Sequence, residues 1–528
     1  MKRFSLYIPL IIILMVTALI YSKTLQNGFL TWDDHTHITN NPDIQSLSLH
    51  NIKTIFTSYY VSMYHPLVTL SFAIEYHCFG LNSVMYHATN VVFHLANVIL
   101  VFYLVLSLSQ RRETAIIAAC LFAIHPMHVE SVAWITERKD VVYAFFYLCS
   151  LIFYLRFIQQ GKAKNYWMVC ICFILSLFSK TTAITLPIIL FLIDIYCRRK
   201  ITVRTSFEKL PLLILSLIFG LIALHSQGDS TRYIVGSSFN FIDRIFLASY
   251  SLCYYLIHLF LPINLSALHL MPIKAEGILP VEYYLALIPM IILTFIGTRN
   301  GIFQREYIFG ILFFVVILSL NIHVIPVGMA IVSERYTYLA YVGLYYIIGQ
   351  LYSFSFDRYQ VYFISWKKVI VTGATLLALF FGYLTYQRIG VWKSTLVLFQ
   401  DATIKASNTI EANFIQTLAF EYEGEEKNRM KLYIEAIEWF NKAIVFSPQL
   451  PELYLNRGVS KYYLRNYTDA IQDYNKAIEL DSSFAPAYFN RAEIYLLWNR
   501  QQDACEDLWN AYKLGMRNAF NMAHANCF

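Results

Sequence analysis

The sequence predicts an all-α fold, a polytopic membrane protein of about eleven transmembrane helices followed by a C-terminal helical solenoid. Two observations predict it. Of the 528 residues, 57% are hydrophobic and only 14% are charged, with a mean hydropathy of +0.49, whereas roughly a quarter of the residues in a soluble protein are charged. Beyond about residue 390, charged residues return in a helical pattern that repeats about every 34 residues.

The N-terminal segment MKRFSLYIPLIIILMVTALIYSKTL has a basic start and an apolar run, as a signal peptide does. The run is about as long as a bilayer-spanning helix, near 20 residues, and no small-x-small cleavage site follows it. We therefore expect an uncleaved first transmembrane helix.

Further apolar segments qualify as candidate spans by length and composition. They lie at residues 86–108, 114–130, 140–158, 166–179, 183–197, 208–226, 244–262, 282–298, 306–322, 335–353 and 368–387. Lysines and arginines in the short loops between them predict which loops are cytoplasmic. These are Lys2 and Arg3, Arg111 and Arg112, Lys162 and Lys164, Arg198 to Lys200, Arg299 and Arg305, and Lys367 and Lys368.

The twelve candidates cannot all cross the membrane if these basic loops share one side. An odd number of crossings is required between residues 226 and 297, and two candidates lie there. Segment 244–262 is the weaker, because serines, tyrosines and a histidine interrupt it, and we expect an interfacial or re-entrant helix on the outer face. The result is eleven spans with a cytoplasmic N-terminus and a long outer loop at 23–85.

The predicted domains are therefore a membrane domain at 1–390 and an extracytoplasmic repeat domain at 391–528. The repeat domain has about three units with the spacing of a tetratricopeptide repeat. Small or aromatic residues recur in three registers, which are Ala436, Ala470 and Ala504; Phe440, Tyr474 and Leu508; and Ala443, Ala477 and Ala511. Small residues let the paired helices pack closely and aromatics fill the gaps. The first unit is the least regular and fits best if KNRMK is a short insertion.

Polar side chains gather in four places on the predicted outer face, where they are candidates for chemistry. The stretch FLTWDDHTHITNN follows the first span, HPMHVESVAWITERKD lies between two later spans, and SKTTAITLP and SERYTYL complete the set. Basic residues there oppose the positive-inside bias, so they are not mere topology signals. The candidates are Asp33, Asp34, His128, Glu130, Glu137, Arg138, Lys139, Lys180 and Arg335.

A pocket of this composition suits group transfer from an anionic phosphate leaving group to a neutral hydroxyl. Arginine and lysine would neutralise the phosphate, and arginine can bind two oxygens at once. A carboxylate would take the proton of the attacking hydroxyl. Adjacent Asp33 and Asp34 could divide this work, one as base and one orienting it.

Structural alternatives stay open for each candidate. Asp33 and Asp34 could cap a helix or turn, and the ERKD block could be a network of ion pairs at a helix end. His35 and His37 could bind a divalent metal, although the ligand set is incomplete in the sequence. The nine cysteines lack CxxC spacing, and neither a disulfide framework nor a zinc ribbon is expected. No basic face suggests nucleic-acid binding.

The second span carries one polar stripe, formed by His87, Asn90, His94 and Asn97. Residues at steps of three and four share one helix face, which must contact protein rather than lipid. We expect hydrogen bonds between helices, with a substrate channel as the alternative.

Several blocks in chain order resemble the transmembrane and TPR-containing O-mannosyltransferases and their bacterial relatives, of the GT-C class of glycosyltransferases. They are TWDDHTHITNNPDI, AIHPMHVESVAWITERKDV, SKTTAITLP, SERYTYL and VWKSTLVLFQDA. The resemblance implies inverting transfer of a sugar, mannose in the nearest relatives, from a polyprenyl-phosphate donor to an acceptor on the non-cytoplasmic side. It also implies that Asp33 is the base and Asp34 its partner.

The repeats would then recruit a protein acceptor through Ser or Thr, or bind a partner subunit. The two alternatives are a non-catalytic membrane scaffold and a transporter of the lipid-linked sugar. Eleven spans exceed what an anchor needs, and the membrane domain shows neither an internal repeat nor a broken helix pair in its sequence. The compact length favours a bacterial inner membrane with a periplasmic catalytic face.

Overall fold

The computed structural model describes residues 4–226, 239–298, 304–322, 330–358 and 360–527. Lys2, Arg3 and Arg299 of the predicted cytoplasmic loops lie outside the described residues, as does the side chain of Lys367. Across the described residues the fold is helical, which confirms the predicted all-α class. The chain divides into two compact units between Lys393 and Ser394.

The membrane unit contains helices α1 to α17, and every apolar segment predicted as a span contains a helix. The helices are α1 Phe4–Tyr21, α2 Leu49–Thr57, α3 Pro66–Phe79, α4 Ser83–Ser109, α5 Arg112–Ile124, α6 Val129–Ala133, α7 Arg138–Gln160, α8 Ala163–Leu177, α9 Leu186–Tyr196, α10 Val203–Phe207, α11 Leu210–Ser226, α12 Phe241–Phe260, α13 Val281–Leu285, α14 Leu287–Thr298, α15 Gln304–Leu318, α16 Thr337–Arg358 and α17 Gln360–Val391.

The predicted count of eleven spans is not confirmed. Among the described residues, five helices are long and apolar enough to cross a membrane, or six if one bent pair counts as a span. Several of the other apolar helices are shorter than 18 residues, and at 1.5 Å per residue they fall short of a hydrocarbon core about 30 Å thick. Helix α12 is continuous over 20 residues but is not among the five.

The bent pair is a broken helix that the sequence analysis did not predict. Helix α5 and the following segment Pro126–Ala133 meet at an angle of 59°. Proline cannot donate the helical hydrogen bond and disfavours the helical conformation of the residue before it, which here is His125. The chain then passes through a short 3₁₀ turn, Ile135–Glu137, before α7 begins.

The predicted outer loop at 23–85 is a small helical layer. Its apolar residues pack into one core with Tyr86 and Ile135, and the members from the loop are Ile38, Ile44, Ile55, Val68, Phe72 and Ala73. This core holds the stretch FLTWDDHTHITNN against the broken helix.

Glycines allow the closest contact between two long helices. A Cβ atom on Gly310 or on Gly343 would collide with the backbone of the facing helix, so α15 and α16 approach each other directly at this pair. Small residues at such crossings let the helices pack closely, and this packing stabilises their association where a membrane supplies no hydrophobic driving force.

The second unit is a stack of helical hairpins. Its helices are α18 Thr395–Ile404, α19 Thr409–Arg429, α20 Tyr433–Phe446, α21 Pro451–Tyr463, α22 Tyr467–Leu480, α23 Ala485–Leu497, α24 Gln501–Lys513 and α25 Arg517–Asn526. All nine residues of the three predicted registers are buried. Gly424 and Gly458 pack against the rings of Phe440 and Tyr474.

One sequence expectation for this unit is corrected. KNRMK is not an insertion, because Gly424 and Gly458 already share the repeat spacing and residues 427–429 end α19. The sequence did not indicate the single disulfide of this unit, which joins Cys505 and Cys527. The other seven cysteines are free thiols.

Candidate active site

The broken helix places charged residues inside the membrane unit. Glu130, Glu137, Arg138, Lys139 and Asp140 are all buried, with at most 4% of each residue exposed. Charges removed from water are stable only when they are paired and hydrogen-bonded. Each of them must therefore have partners from other parts of the chain.

Asp34 links the first loop to the 3₁₀ turn before α7. Its carboxylate accepts hydrogen bonds from the backbone N–H of Leu30 at 2.8 Å, from the backbone N–H of Thr136 at 3.1 Å, and from the Thr136 hydroxyl. Burial raises the pKa of Asp34 to about 6, and these hydrogen bonds oppose the rise. The carboxylate is thus already used to hold two distant segments together.

Asp33 has a different environment. It is half-buried, and its backbone carbonyl accepts a hydrogen bond from the N–H of His37 at 3.1 Å. Burial raises the pKa of the Asp33 carboxyl, Lys139 and Arg335 lower it, and Glu137 raises it. The Asp33 carboxylate therefore lies within electrostatic reach of two cations and one carboxylate.

Two of the predicted phosphate ligands, Lys139 and Arg335, form pairs with carboxylates in this cluster. The Lys139 ammonium lies 3.0 Å from Glu137. The guanidinium of Arg335 pairs with Glu130 and lies 3.4 Å from Glu137. The backbone N–H of Arg335 donates a hydrogen bond to the Glu130 carboxylate at 2.9 Å. Two cations thus share Glu137, and an added anion could compete for them.

Lys180 extends the same cluster. It pairs with Asp140, which also accepts a hydrogen bond from the Ser131 hydroxyl at 3.0 Å. Lys180 is electrostatically coupled to Glu137 and to Arg335 as well. The structure therefore brings together Asp33, Lys139, Lys180 and Arg335, which belong to all four of the sequence clusters.

Arg138 lies in a separate buried network. Its guanidinium pairs with Glu75 and donates to Asn90 at 2.9 Å, to Ser71 at 3.3 Å and to the carbonyl of Tyr86 at 2.8 Å. The guanidinium also stacks on Phe72, 4.5 Å from the ring centroid. Every nitrogen of Arg138 thus donates a hydrogen bond within the fold, and no pattern in the sequence indicated Glu75 as its partner.

His128 lies among aromatic rings. Its Nδ1 is 3.1 Å from the carbonyl of Phe122 and its Nε2 is 3.3 Å from the hydroxyl of Tyr345. The His128 ring lies 5.1 Å from the ring of Tyr338 and 6.0 Å from that of His125. The structure therefore groups His128 with aromatic residues, while Glu130, two positions later, reaches Arg335.

The polar stripe of α4 makes hydrogen bonds between segments, as expected. Asn90 donates to the carbonyl of Trp134 at 3.1 Å, Asn97 donates to that of Val141 at 2.8 Å, and His94 lies 2.9 Å from the Tyr338 hydroxyl. His87 lies 3.4 Å from the carbonyl of Gly28. The stripe thus holds α4 against the broken helix and α16.

The two histidines after the aspartates lie within a π-helical turn, His35–Thr39. Nδ1 of His35 lies 2.6 Å from the Thr39 hydroxyl, and the ring of His37 lies 4.9 Å from that of His65. In the part of the chain that the structure describes, no group of three His, Cys, Asp or Glu residues could hold a metal ion. A metal at His35 and His37 stays a prediction.

Two further features near the site were not predicted. Glu334 pairs with Arg388, whose Nη2 lies 2.7 Å from the carboxylate. Trp32, Trp134 and Trp392 stack in series, with ring centroids 4.8 and 5.4 Å apart. Because Trp32 directly precedes Asp33 in the sequence, it could have been recognised as a residue near the site.

Fold and site together define a helical membrane protein with buried ion pairs beside a half-buried aspartate and a second unit of helical repeats. The tetratricopeptide repeat family matches residues 451–484 and 473–506. The protein O-mannosyl-transferase TMTC1 of Mus musculus is 32% identical over 157 residues, which cover 28% of this chain and 17% of the mouse protein. These matches confirm the resemblance predicted from the sequence blocks.

A longer match is to a protein O-mannosyl-transferase of Caenorhabditis elegans, 26% identical over 462 residues, which cover 81% of this chain and 62% of the worm protein. The chain thus aligns with less than two thirds of either relative. Among solved structures, an Archaeoglobus fulgidus oligosaccharyltransferase matches at 14% sequence identity with a TM-score of 0.41. The match covers 83% of this chain and 59% of the oligosaccharyltransferase chain.

Proposed function

We propose that the membrane unit is an inverting glycosyltransferase that moves a hexose from a polyprenyl-phosphate donor to a Ser or Thr hydroxyl of a protein on the non-cytoplasmic face. The observation that carries the proposal is the half-buried Asp33 carboxylate, which lies within electrostatic reach of Lys139 and Arg335. The names of the relatives, protein O-mannosyl-transferases, support mannose as the hexose and protein as the acceptor.

In this mechanism Asp33 is the base. The acceptor O–H transfers its proton to the Asp33 carboxylate as the oxygen attacks the anomeric carbon from the side opposite the phosphate. The new C–O bond forms as the bond between the anomeric carbon and the phosphate oxygen breaks, and the electron pair leaves with the polyprenyl phosphate. Attack from the opposite side inverts the anomeric configuration.

Lys139, Lys180 and Arg335 would bind the phosphate and stabilise the charge that develops on it. Their carboxylate partners, Glu137 and Asp140 among them, hold these cations in place before the donor arrives. Arg138 would act indirectly, because its contacts to α3 and α4 keep the start of α7 in position. Preorganised charges need no rearrangement during the reaction.

The repeat unit would recruit the protein acceptor or a partner subunit. The Cys505–Cys527 disulfide supports an oxidising compartment for this unit, since disulfides persist in the periplasm and are rare in the cytosol. We propose a bacterial inner membrane, with the N-terminus cytoplasmic and the repeats periplasmic.

The test is sugar transfer by the full-length protein in lipid nanodiscs. Radiolabelled polyprenyl-phosphate mannose and a Ser/Thr peptide are supplied to the wild type and to Asp33→Asn, and we expect transfer to fall at least about 100-fold in the variant, the usual contribution of a general base. The matched control is Asp357→Asn, which changes a half-exposed carboxylate paired with Arg111 and should leave transfer unchanged.

Two outcomes would overturn parts of the proposal. Unchanged transfer in Asp33→Asn would remove Asp33 as the base. A wild type that transfers no sugar from mannose or glucose donors would instead favour a scaffold or a transporter of the lipid-linked sugar.

A further inference from the structure

His37 and His65 form a pair of buried rings beside the proposed active site. Their ring centroids are 4.9 Å apart, and 0% and 3% of the two residues are exposed. His37 lies one turn after Asp33, to whose carbonyl its backbone N–H donates. His65 immediately precedes α3, in the same helical layer.

Three ring nitrogens of this pair lack a hydrogen-bond partner among the described residues. They are both nitrogens of His37 and Nε2 of His65, whereas Nδ1 of His65 lies 3.2 Å from the Thr69 hydroxyl. Buried polar atoms are almost always hydrogen-bonded, because a buried group without a partner loses its hydrogen bonds to water and gains none in return. The exceptions in a native fold call for an explanation.

The pair faces the charged cluster. Burial and the charge of Lys139 both lower the pKa of His37 and that of His65, which falls to about 3. Glu137 and Lys180 are also within electrostatic reach of His65, and the ring of Tyr60 lies 6.3 Å from each histidine ring. Both imidazoles are therefore neutral at physiological pH and lie within electrostatic reach of Lys139.

A neutral imidazole offers one N–H donor and one lone-pair acceptor. An ionised phosphate oxygen can satisfy only the donor, and a divalent cation can satisfy only lone pairs and would lie beside the Lys139 ammonium. A hydroxyl group both donates and accepts. Among the three ligands, only a hydroxyl matches both needs of the His37 ring.

We propose that His37 and His65 bind hydroxyl groups of the donor sugar and so recognise the hexose rather than its phosphate. The proposal rests on the function proposed above and adds the sugar subsite to it. The phosphate would bind at Lys139, Lys180 and Arg335, and the sugar would extend from there toward the histidine pair, past Asp33.

The test compares two lipids on the same full-length protein in nanodiscs. Binding of a short polyprenyl-phosphate mannose and of the same polyprenyl phosphate without sugar is measured for the wild type, His37→Phe and His65→Phe. We expect each variant to bind the mannose lipid about tenfold more weakly, the loss of one hydrogen bond, and to bind the sugar-free lipid as the wild type does. His50→Phe, a change at an exposed histidine of α2, is the matched control.

Thermal unfolding shows whether the variants fold. His37→Phe removes two nitrogens without partners and should unfold at no lower a temperature than the wild type. Equal weakening for both lipids, or none for the mannose lipid, would overturn the sugar assignment. Binding of Mn²⁺ by the wild type that both variants lose would assign a metal to the pair instead.

The two proposals can fail separately. Mannose lipid that binds in a histidine-dependent way without transfer would leave the sugar subsite standing and remove the transferase. If the wild type transfers sugar and the histidine variants bind the mannose lipid as well as the wild type does, the transferase stands and the sugar subsite is removed. A wild type that binds no mannose lipid would overturn both.

Discussion

Asp33 and Asp34 are adjacent carboxylates whose surroundings give them different roles. Asp34 accepts hydrogen bonds from Leu30 and from Thr136, 102 positions away in the sequence, and is completely buried. Asp33 is half-buried beside Lys139. The sequence predicted the pair as a unit, and the division between a structural carboxylate and a chemical one follows from contacts that no local pattern contains.

The division predicts that the same substitution has a large effect on stability at Asp34 and a small one at Asp33. Asp34→Asn replaces one accepting oxygen by an NH₂ group that faces N–H and O–H donors, so we expect the free energy of unfolding to fall by about 1–3 kcal/mol. Asp33→Asn should change it by less than about 0.5 kcal/mol, because the Asp33 side chain makes no hydrogen bond within the described part of the chain. Thermal unfolding of both purified variants decides this, and equal losses would show that both carboxylates are structural.

The pH dependence of transfer tests the surroundings of Asp33. A base must be ionised, so kcat/KM should rise with pH through the pKa of Asp33, which burial raises above its ordinary 3.8. Lys139→Met removes a charge that lowers this pKa, so the rising limb should move to higher pH. Glu137→Gln removes a charge that raises it, so the limb should move to lower pH. A limb that stays fixed in both variants would contradict the assignment.

At the scale of elements, the break at Pro126 and the glycine crossing of α15 and α16 shape the membrane unit. Apolar runs predicted the positions of its helices well, because a hydrophobic segment long enough to be buried folds as a helix in lipid. They leave the count of spans unconfirmed, since several runs among the described residues form helices of fewer than 18 residues. The partner of Arg138 was also out of reach, because Glu75 lies 63 residues earlier in the chain.

The close approach of α15 and α16 can be tested by a substitution that adds one methyl group. Gly343→Ala places a Cβ against the backbone of Gly310 and 3.1 Å from Phe313, so the helices must separate and we expect a loss of about 1–3 kcal/mol in stability. Gly373→Ala in α17 is the matched control, because nothing lies within 4 Å of its added Cβ. Thermal unfolding in one detergent compares them, and equal midpoints for the two variants would contradict the close approach.

At the scale of the whole molecule, the chain consists of a membrane unit and a repeat unit with different kinds of core. The repeat unit buries alanines at a fixed spacing, and the three registers found in the sequence hold in the structure because each hairpin repeats the same contacts. The membrane unit has no such period. Its charged cluster joins residues from 33 to 335, and the predicted topology placed them on one face of the membrane without giving their contacts.

Two exposed cysteines of the membrane unit test its predicted orientation. Cys78 ends the helical layer predicted to be outside, and Cys197 adjoins the basic loop predicted to be cytoplasmic. A membrane-impermeant maleimide added to intact cells should label Cys78 and spare Cys197. Inverted membrane vesicles should give the opposite result, and Cys78→Ser and Cys197→Ser identify each signal. Labelling of Cys197 in intact cells would reverse the orientation.

The hydrogen bonds between Asp34 and Thr136 also constrain the order of folding. A chain made from its N-terminus exposes Asp34 long before Thr136 is synthesised, so the first loop cannot take its final position until α4 and α5 have been inserted. Contacts across so many residues form late, because closing a long loop costs entropy before any contact repays it. The proposed active site would therefore be assembled only in chains whose early membrane helices are already in place, which keeps unfinished chains inactive.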